Sequence, residues 1–167
     1  MSSLRFHFLR ALECVVFPLC LLGFRVAARG RGLNRFRVGK LSVWGDSGFV
    51  DLCKASIERL RTLDPELHRT LTSQRWAWVF QDQRATGDAP PRLFGINPAY
   101  TAWESDGVVA RLVYAAFCIA VLSERETFGE EFRSIHQRAM NNSRSWLQTR
   151  AFPEDLAACF AVAENGV

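Results

Sequence analysis

Hydrophobic positions in the second quarter of the chain recur at helical spacing behind two capping signals. Asp46 or Ser47 can cap the first of these helices. Its apolar face is formed by residues three or four positions apart, namely Phe49, Val50, Cys53, Ile57, Leu60 and Leu63. Asp64-Pro65-Glu66 then has the form of a cap followed by a proline at the first helical position, which predicts a short second helix ending near Leu71. We therefore expect two consecutive helices between residues 47 and 71.

Alternation of apolar and polar residues predicts strands on both sides of this helix pair. Residues 35–38 and 41–43 alternate around Gly39, which favours a hairpin with a two-residue turn; a single strand with a bulge at Gly39 is the alternative. After the helices, residues 76–81 are aromatic and β-branched, as is typical of a strand. Residues 92–97 predict a fourth strand that returns beside the third. These segments are expected to form one small sheet.

The last third of the chain has the patterns of three helices. Residues 107–122 are apolar almost all round behind a capping Asp106, and at about 24 Å the stretch is short for a membrane span, so we expect the buried centre of a globular fold. The sequence at 127–130 has the form of a capping box. It opens an amphipathic helix whose apolar positions are Phe128, Phe132, Ile135, Ala139, Trp146 and Leu147. A last helix is expected from Pro153 to about Ala163.

The order of these elements is a helix, two strands, two helices, two strands and three helices. Separate runs of strands and helices are typical of the α+β class. The sequence therefore predicts a small antiparallel or mixed sheet packed against several helices, with an apolar N-terminal helix. We expect residues 1–35 to form that helix and a basic loop, and residues 36–167 to form a single α+β domain.

Composition adds an asymmetry of charge to this picture. The 167 residues are 49% hydrophobic and 23% charged, which excludes a disordered or low-complexity chain. The net charge is only +4, but residues 1–40 carry eight basic residues against one acid, a net +7, whereas the remainder carries 13 basic against 16 acidic residues, a net −3. The five cysteines are odd in number and irregularly spaced, so we expect no disulfide framework and a reducing compartment.

The basic cluster follows an apolar run that is too short to cross a bilayer. Residues 11–24 would reach about 21 Å as a helix, against about 30 Å of hydrocarbon. A secretory signal peptide carries its basic residues before the apolar stretch, and arginines after it favour a cytoplasmic position. The pattern predicts an interfacial or re-entrant anchor, with apolar side chains in the acyl boundary and arginines on anionic headgroups. The residues expected at the membrane are Phe17, Leu19, Leu21, Leu22, Phe24, Arg25, Arg29 and Arg31.

Two other interpretations of this N-terminal segment stay open. The first is a core helix followed by a solvated basic loop. The second is nucleic-acid binding by residues 29–37, whose arginines and single aromatic residue suit phosphate contact and base stacking. Because those residues form no recognised motif, nucleic acid is the least favoured partner.

Motifs for catalytic or metal chemistry are missing from the sequence. The histidines, His7, His68 and His136, are not spaced as metal ligands, and the chain has no P-loop, G-x-G-x-x-G turn or G-x-S-x-G elbow. The order of elements is loosely similar to that of compact zinc peptidases, but residues 123–127 carry hydroxyls where their H-E-x-x-H helix carries imidazoles. Cys118 with His136 as its base is the remaining nucleophile candidate, and a buried structural thiol is the favoured interpretation. We therefore predict no metal and no cofactor.

One charged residue stands out within the apolar stretch at 107–122. Arg111 shares a helical stripe with Tyr114, and a buried guanidinium needs a carboxylate partner. The candidate partners are Glu58, Glu104, Asp106 and Glu126. In a functional interpretation, Arg111 and Tyr114 form the floor of a small-anion pocket whose rim comes from the preceding loop, namely Asn97, Tyr100 and Trp103. In a structural interpretation, Arg111 reaches water and the loop aromatics cover the end of the sheet.

The charge asymmetry and the missing motifs favour binding over catalysis. The leading hypothesis is a cytoplasmic protein at the cytoplasmic face of a membrane, a non-enzymatic binding or interaction module for an anionic membrane surface or a protein partner. The alternative is a soluble enzyme or a small-anion-binding protein with its site around Arg111 and Tyr114.

Overall fold

Helices and strands follow one another in the described part of the chain in the order that the sequence predicts. The computed structural model describes residues 18–19, 22–73, 77–81, 93–96, 104–123 and 132–150. The helices are α1 (22–30, with 18–19 also helical), α2 (Ser47–Leu63), α3 (Pro65–Ser73), α4 (Glu104–Ser123) and α5 (Phe132–Thr149). The strands are β1 (Asn34–Val38), β2 (Leu41–Gly45), β3 (Trp78–Gln81) and β4 (Leu93–Ile96). The predicted capping box at 127–130 and the predicted helix at 153–163 lie outside the described residues.

The four strands form one mixed sheet in the order β1-β2-β3-β4. Strands β1 and β2 are antiparallel, whereas β2 pairs with β3 and β3 with β4 in parallel. The α+β class with a small mixed sheet is therefore confirmed. The fourth strand lies beside the third as predicted, but it runs in the same direction instead of returning, because strand direction depends on the connection rather than on the residues of the strand.

The turn between β1 and β2 is a two-residue hairpin that requires its glycine. Val38 pairs with Leu41 across the turn, which confirms the hairpin rather than the bulged single strand. Gly39 has φ +56°, and a Cβ atom there would lie 2.6 Å from the Thr72 carbonyl oxygen. The Lys40 N–H donates to that same oxygen at 2.8 Å. The hairpin turn is thereby fixed against the end of α3.

The two capping aspartates act as predicted. Asp46 caps α2, its Oδ1 accepting from the Phe49 N–H at 2.8 Å. Its other carboxylate oxygen accepts from Gln81 Nε2 at 2.7 Å, and its own N–H donates to Gln81 Oε1 at 2.8 Å. Asp64 caps α3, its Oδ1 accepting from the Leu67 N–H at 3.0 Å. The first cap therefore also holds α2 against the end of β3.

Helix α4 is the buried centre of the fold, as its apolar sequence predicts. It contacts α2, α3, α5 and β4. The side chains described as buried within it include Val108, Val109, Leu112, Val113, Ala115, Ala116 and Ile119. It begins at Glu104, before the Asp106 expected as its cap. Among the described residues, no helix combines the length and the apolar character that crossing a bilayer requires.

Helix α5 packs along α4 and is pinned at the junction of α2 and α3. Its buried residues include the predicted Ala139, Trp146 and Leu147. The Trp146 indole Nε1–H donates to Asp64 Oδ2 at 2.8 Å, 82 residues away in sequence. Arg150 donates to the Leu63 carbonyl oxygen at 2.6 Å and lies 3.5 Å from the same carboxylate oxygen of Asp64. One aspartate thus joins three helices.

The sheet has two differently covered faces. The inner face is made of alternate strand residues and packs into the main core with α2 and α4; these residues are Leu41, Val43, Val79 and Ile96. The outer face carries Trp44 and Trp78, which form a separate small cluster. This second face is where α1 lies.

Candidate membrane interface

Helix α1 covers the tryptophans of the outer sheet face with one of its own sides. Trp44 and Trp78 are buried, with ring centroids 5.6 Å apart. The Phe24 ring meets Trp44 at 6.0 Å and Trp78 at 5.6 Å between centroids, both edge-on. Ala28 of α1 is also buried in this cluster, and Leu33 and Phe80 are packed against it. The end of the N-terminal segment is therefore seated on the sheet.

The opposite side of α1 is apolar and exposed. Leu22 is 56% exposed and Val26 is 66% exposed, and Leu19 in the preceding helical residues is 61% exposed. At about 100° per residue, Leu22 and Val26 lie roughly opposite Phe24 and Ala28 on the helix. An ordinary surface helix has one apolar side facing the core and polar residues on the other. Helix α1 has apolar residues on both.

Two arginines rest on the two buried indole rings. The Arg25 guanidinium carbon lies 5.4 Å from the centroid of Trp78, and that of Arg35 lies 5.3 Å from the centroid of Trp44. Arg35 on β1 pairs with Trp44 on β2 in the hairpin register, and its Nη2 donates to Ser42 Oγ at 3.2 Å. Cation–π contacts of this kind hold each guanidinium in place.

The guanidinium groups at this face repel one another. Burial lowers the pKa of Arg35, and the neighbouring charges of Arg25, Arg37 and Arg29 lower it further. Within the described part of the chain, none of these four arginines forms an ion pair with a carboxylate. The result is a concentrated positive patch beside the exposed apolar side of α1.

Two buried donors at the same contact have no acceptor. They are the Nε atom of Arg25 and the Nε1 atom of Trp44. A buried donor without a partner costs about 1–3 kcal/mol. The contact between α1 and the sheet therefore lacks an acceptor among the described residues.

The residues predicted to meet a membrane are distributed over both sides of α1. Leu19 and Leu22 are exposed, as are Arg29 and Arg31. Phe24 and Arg25 are half-buried and face the sheet, as described above. Phe17 and Leu21 lie outside the described residues.

Sequence reasoning missed three members of this site, namely Arg35, Trp44 and Trp78. A signal for the first two was present. A two-residue turn at Gly39 fixes the register of the hairpin, so position 35 must lie opposite position 44 on the same face. Nothing in the local sequence indicates that Trp78 lies beside them, because that depends on parallel pairing between β2 and β3.

The alternative site around Arg111 is described only in part. Arg111 and Tyr114 are both half-buried in α4, whereas Asn97, Tyr100 and Trp103 lie outside the described residues. Burial raises the pKa of Tyr114, and its hydroxyl donates to Cys118 in the next turn of the helix. Tyr114 also packs against the main core. The pocket therefore stays a prediction.

Of the four carboxylates proposed as partners of Arg111, only Glu58 has a described side chain. Glu58 on α2 is exposed and pairs with Arg61 one turn further along the same helix. The side chains of Glu104, Asp106 and Glu126 lie outside the described residues. Among the four candidates, the described contacts therefore assign Glu58 to another arginine.

Cys118 is a buried thiol, in agreement with its favoured interpretation. Burial raises the pKa of Cys118 to about 11, although the hydrogen bond from Tyr114 favours the thiolate. A cysteine with this pKa is almost entirely protonated at neutral pH and is a poor nucleophile. The side chain of His136, its suggested base, lies outside the described residues.

Neither potential metal ligands nor related proteins indicate a further site in the described part of the chain. The described residues contain no group of three His, Cys, Asp or Glu side chains that could hold a metal ion. No family model, curated protein or solved structure matches the chain.

Proposed function

We propose that this protein is a peripheral membrane-binding module without catalytic activity, attached to an anionic surface through α1. The observation that carries the proposal is the second apolar side of α1. Leu19, Leu22 and Val26 remain exposed although the helix already has a packed side against the sheet. Exposed apolar side chains that adjoin a basic patch are typical of interfacial helices.

The position of the arginines supports this orientation. Arg25 and Arg29 are one turn apart on α1 and lie on the flank between its packed and exposed sides. An interfacial helix buries its apolar side in the acyl boundary and keeps basic side chains at headgroup depth. Each arginine near an anionic surface contributes about 1 kcal/mol. The same elements thus provide both an apolar contact and an electrostatic contact.

The cytoplasmic position and a protein partner belong to the same proposal. The excess of basic residues after the apolar run favours the cytoplasmic leaflet, where anionic lipids are enriched. The body of the protein, with its net charge of −3 beyond residue 40, would then face away from the surface and remain free to bind a protein.

Flotation with lipid vesicles tests the proposal. The full chain is mixed with phosphatidylcholine vesicles, with or without phosphatidylglycerol, and the bound fraction is measured at low and moderate salt. We expect binding to the anionic vesicles that weakens as salt rises, because surface electrostatics is screened. Replacing Leu22 and Val26 by Ser removes about 1 kcal/mol of apolar contact each, so the affinity should fall about thirtyfold.

A control on the same helix separates this effect from a general change in α1. Ala27 is exposed and lies away from the Leu22 and Val26 side. Ala27→Ser should therefore bind as the unchanged protein does. If the unchanged protein does not bind anionic vesicles at low salt, the proposal is wrong. It is also wrong if the double variant binds them as well as the unchanged protein does. Binding of a single-stranded oligonucleotide in place of vesicles would favour the nucleic-acid interpretation instead.

A further inference from the structure

The positive patch between α1 and the outer sheet face has the properties of a specific anion site rather than of a diffuse charged surface. Arg25 comes from the helix and Arg35 comes from β1, and they lie over two indole rings whose centroids are 5.6 Å apart. Each is held against a buried indole ring, at 5.4 Å and 5.3 Å. Side chains restrained in this way lose less freedom when they bind a ligand.

Two buried hydrogen-bond donors where α1 meets the sheet have no acceptor among the described residues. The Nε atom of Arg25 and the indole N–H of Trp44 are buried without a partner, and Trp44 is only 4% exposed. Arg25 itself is half-buried, so an oxygen atom can meet its guanidinium after rotation of this long side chain. No described carboxylate pairs with Arg25 or Arg35. An external anion would give the Arg25 guanidinium an acceptor that the described residues do not provide.

The guanidinium groups of Arg25 and Arg35 favour a phosphate as that anion. A guanidinium presents parallel N–H groups that match two oxygens of a phosphate, and such bidentate pairs are stronger than neutral hydrogen bonds. Burial lowers the pKa of Arg35, and neighbouring arginine charges lower it further; a bound anion would relieve the repulsion between those charges. Because Leu22 and Val26 are exposed on the same helix, the anion is expected to come with an apolar chain.

We propose that Arg25 and Arg35 form a binding site for the phosphate group of an anionic phospholipid. This site rests on the membrane-binding function proposed above and makes it specific: the lipid phosphate binds at the junction of α1 with the sheet, while the acyl boundary receives the exposed apolar side of the helix. Membrane contact would then supply the acceptor that the contact between α1 and the sheet lacks.

A pair of charge-conserving substitutions tests this site directly. Arg25→Lys with Arg35→Lys keeps the net charge but removes the planar, bidentate donors. We expect this variant to bind phosphatidylglycerol vesicles at least about tenfold more weakly than the unchanged protein, because a hydrogen bond to an ionised group is lost at each position. The matched control, Arg59→Lys with Arg69→Lys, changes two exposed arginines on α2 and α3, away from α1, and should bind normally.

Three results would overturn the inference. If the Arg25 and Arg35 variant binds as the unchanged protein does, charge alone accounts for the attraction. If the control pair loses as much affinity for the vesicles, the arginines attract the membrane through their overall charge and not through a specific site. Should soluble glycerol phosphate, measured by calorimetry without vesicles, bind as tightly as the vesicles do, the ligand is a free phosphate and not a lipid.

The proposed function and this site fail in different ways. An unchanged protein that does not float with anionic vesicles refutes both. An unchanged protein that floats, together with equal binding by the two lysine pairs, refutes the phosphate site and leaves membrane attachment standing. Thermal unfolding of each variant, followed by circular dichroism, must match the unchanged protein within a few degrees, and Arg25→Gln with Arg35→Gln provides a second measurement if the lysine pair does not fold.

Discussion

Asp64 is the residue whose loss should destabilise the fold most clearly, because one carboxylate makes three contacts that join α3 to α5 and to Arg150 behind it. One of its oxygens caps α3 through the Leu67 N–H, and the other accepts from the buried Trp146 indole. Arg150, the residue after α5, lies 3.5 Å from the second oxygen. Asp64→Ala removes all three contacts at once.

The size of the effect follows from the separate contacts. Loss of a helix cap costs about 1 kcal/mol. A buried indole N–H left without an acceptor costs about 1–3 kcal/mol. The Arg150 side chain is partly exposed, so its contact adds less than about 1 kcal/mol. We therefore expect Asp64→Ala to lower the free energy of unfolding by about 3 kcal/mol, which lowers the midpoint of thermal unfolding by about 10 °C for a domain of this size.

A double-mutant cycle isolates the bond that joins α3 to α5. Urea unfolding is measured for Asp64→Ala, Trp146→Phe and the variant carrying both substitutions. We expect a coupling energy of about 1–2 kcal/mol between the two positions, since they share a hydrogen bond. Asp64→Asn, which keeps a cap and an acceptor, should lose about 1 kcal/mol. A coupling energy within a few tenths of zero would refute the reasoning, because the cap alone would then explain the loss.

The same carboxylate gives the stability a dependence on acid. Partial burial raises the pKa of Asp64, but the hydrogen bonds from Leu67 and Trp146 and the charge of Arg150 outweigh burial, so the net pKa lies below its ordinary value. A depressed pKa stabilises the folded protein above the unfolded value of about 3.9, and the stabilisation disappears as the pH falls through the folded value. The deficit of Asp64→Asn relative to the unchanged protein should therefore shrink below about pH 4.

Two further experiments, glycine substitution and thiol labelling, test the hairpin turn at Gly39 and the buried cysteines. Gly39→Ala should cost about 2–3 kcal/mol in urea unfolding, because it combines a left-handed φ with a clash against the Thr72 carbonyl, whereas Gly48→Ala inside α2 should stabilise by up to about 1 kcal/mol. Burial raises the pKa of Cys53 to about 12 and that of Cys118 to about 11, so a variant retaining only these two cysteines should react with a thiol reagent at pH 8 no faster than it unfolds. Rapid labelling of the folded variant would contradict the described burial.

Local signals were sufficient for the elements that carry their own caps. Asp46 and Asp64 mark the starts of α2 and α3, and each accepts from the backbone N–H three residues on, as the sequence predicts. The hairpin at Gly39 could also be predicted, because alternation of apolar and polar residues on both sides of a glycine fixes the turn and the strand register together. Such features depend on residues within one turn of each other, so no knowledge of the rest of the fold is needed.

Features that depend on distant segments were not accessible in the same way. The direction of β4 is set by the path of the chain between strands, and its own four residues fit either orientation. Helix α5 was predicted from its apolar spacing, but the bond from Trp146 to Asp64 spans 82 residues and leaves no local pattern. The site at the outer face has the same origin, since Trp78 reaches Trp44 only through pairing of β2 with β3.

Helix α1 shows why the apolar run near the N-terminus was ambiguous from sequence. A core helix and an interfacial helix both need apolar residues, and a helix that does both is apolar on two sides. Phe24 and Ala28 account for the side that covers the tryptophans. They do not account for Leu22 and Val26, which lie on the opposite side of the helix and are exposed. Because the arginines lie between these two sides, one surface of α1 packs on the sheet, and the opposite surface is the one that we propose to meet a lipid boundary.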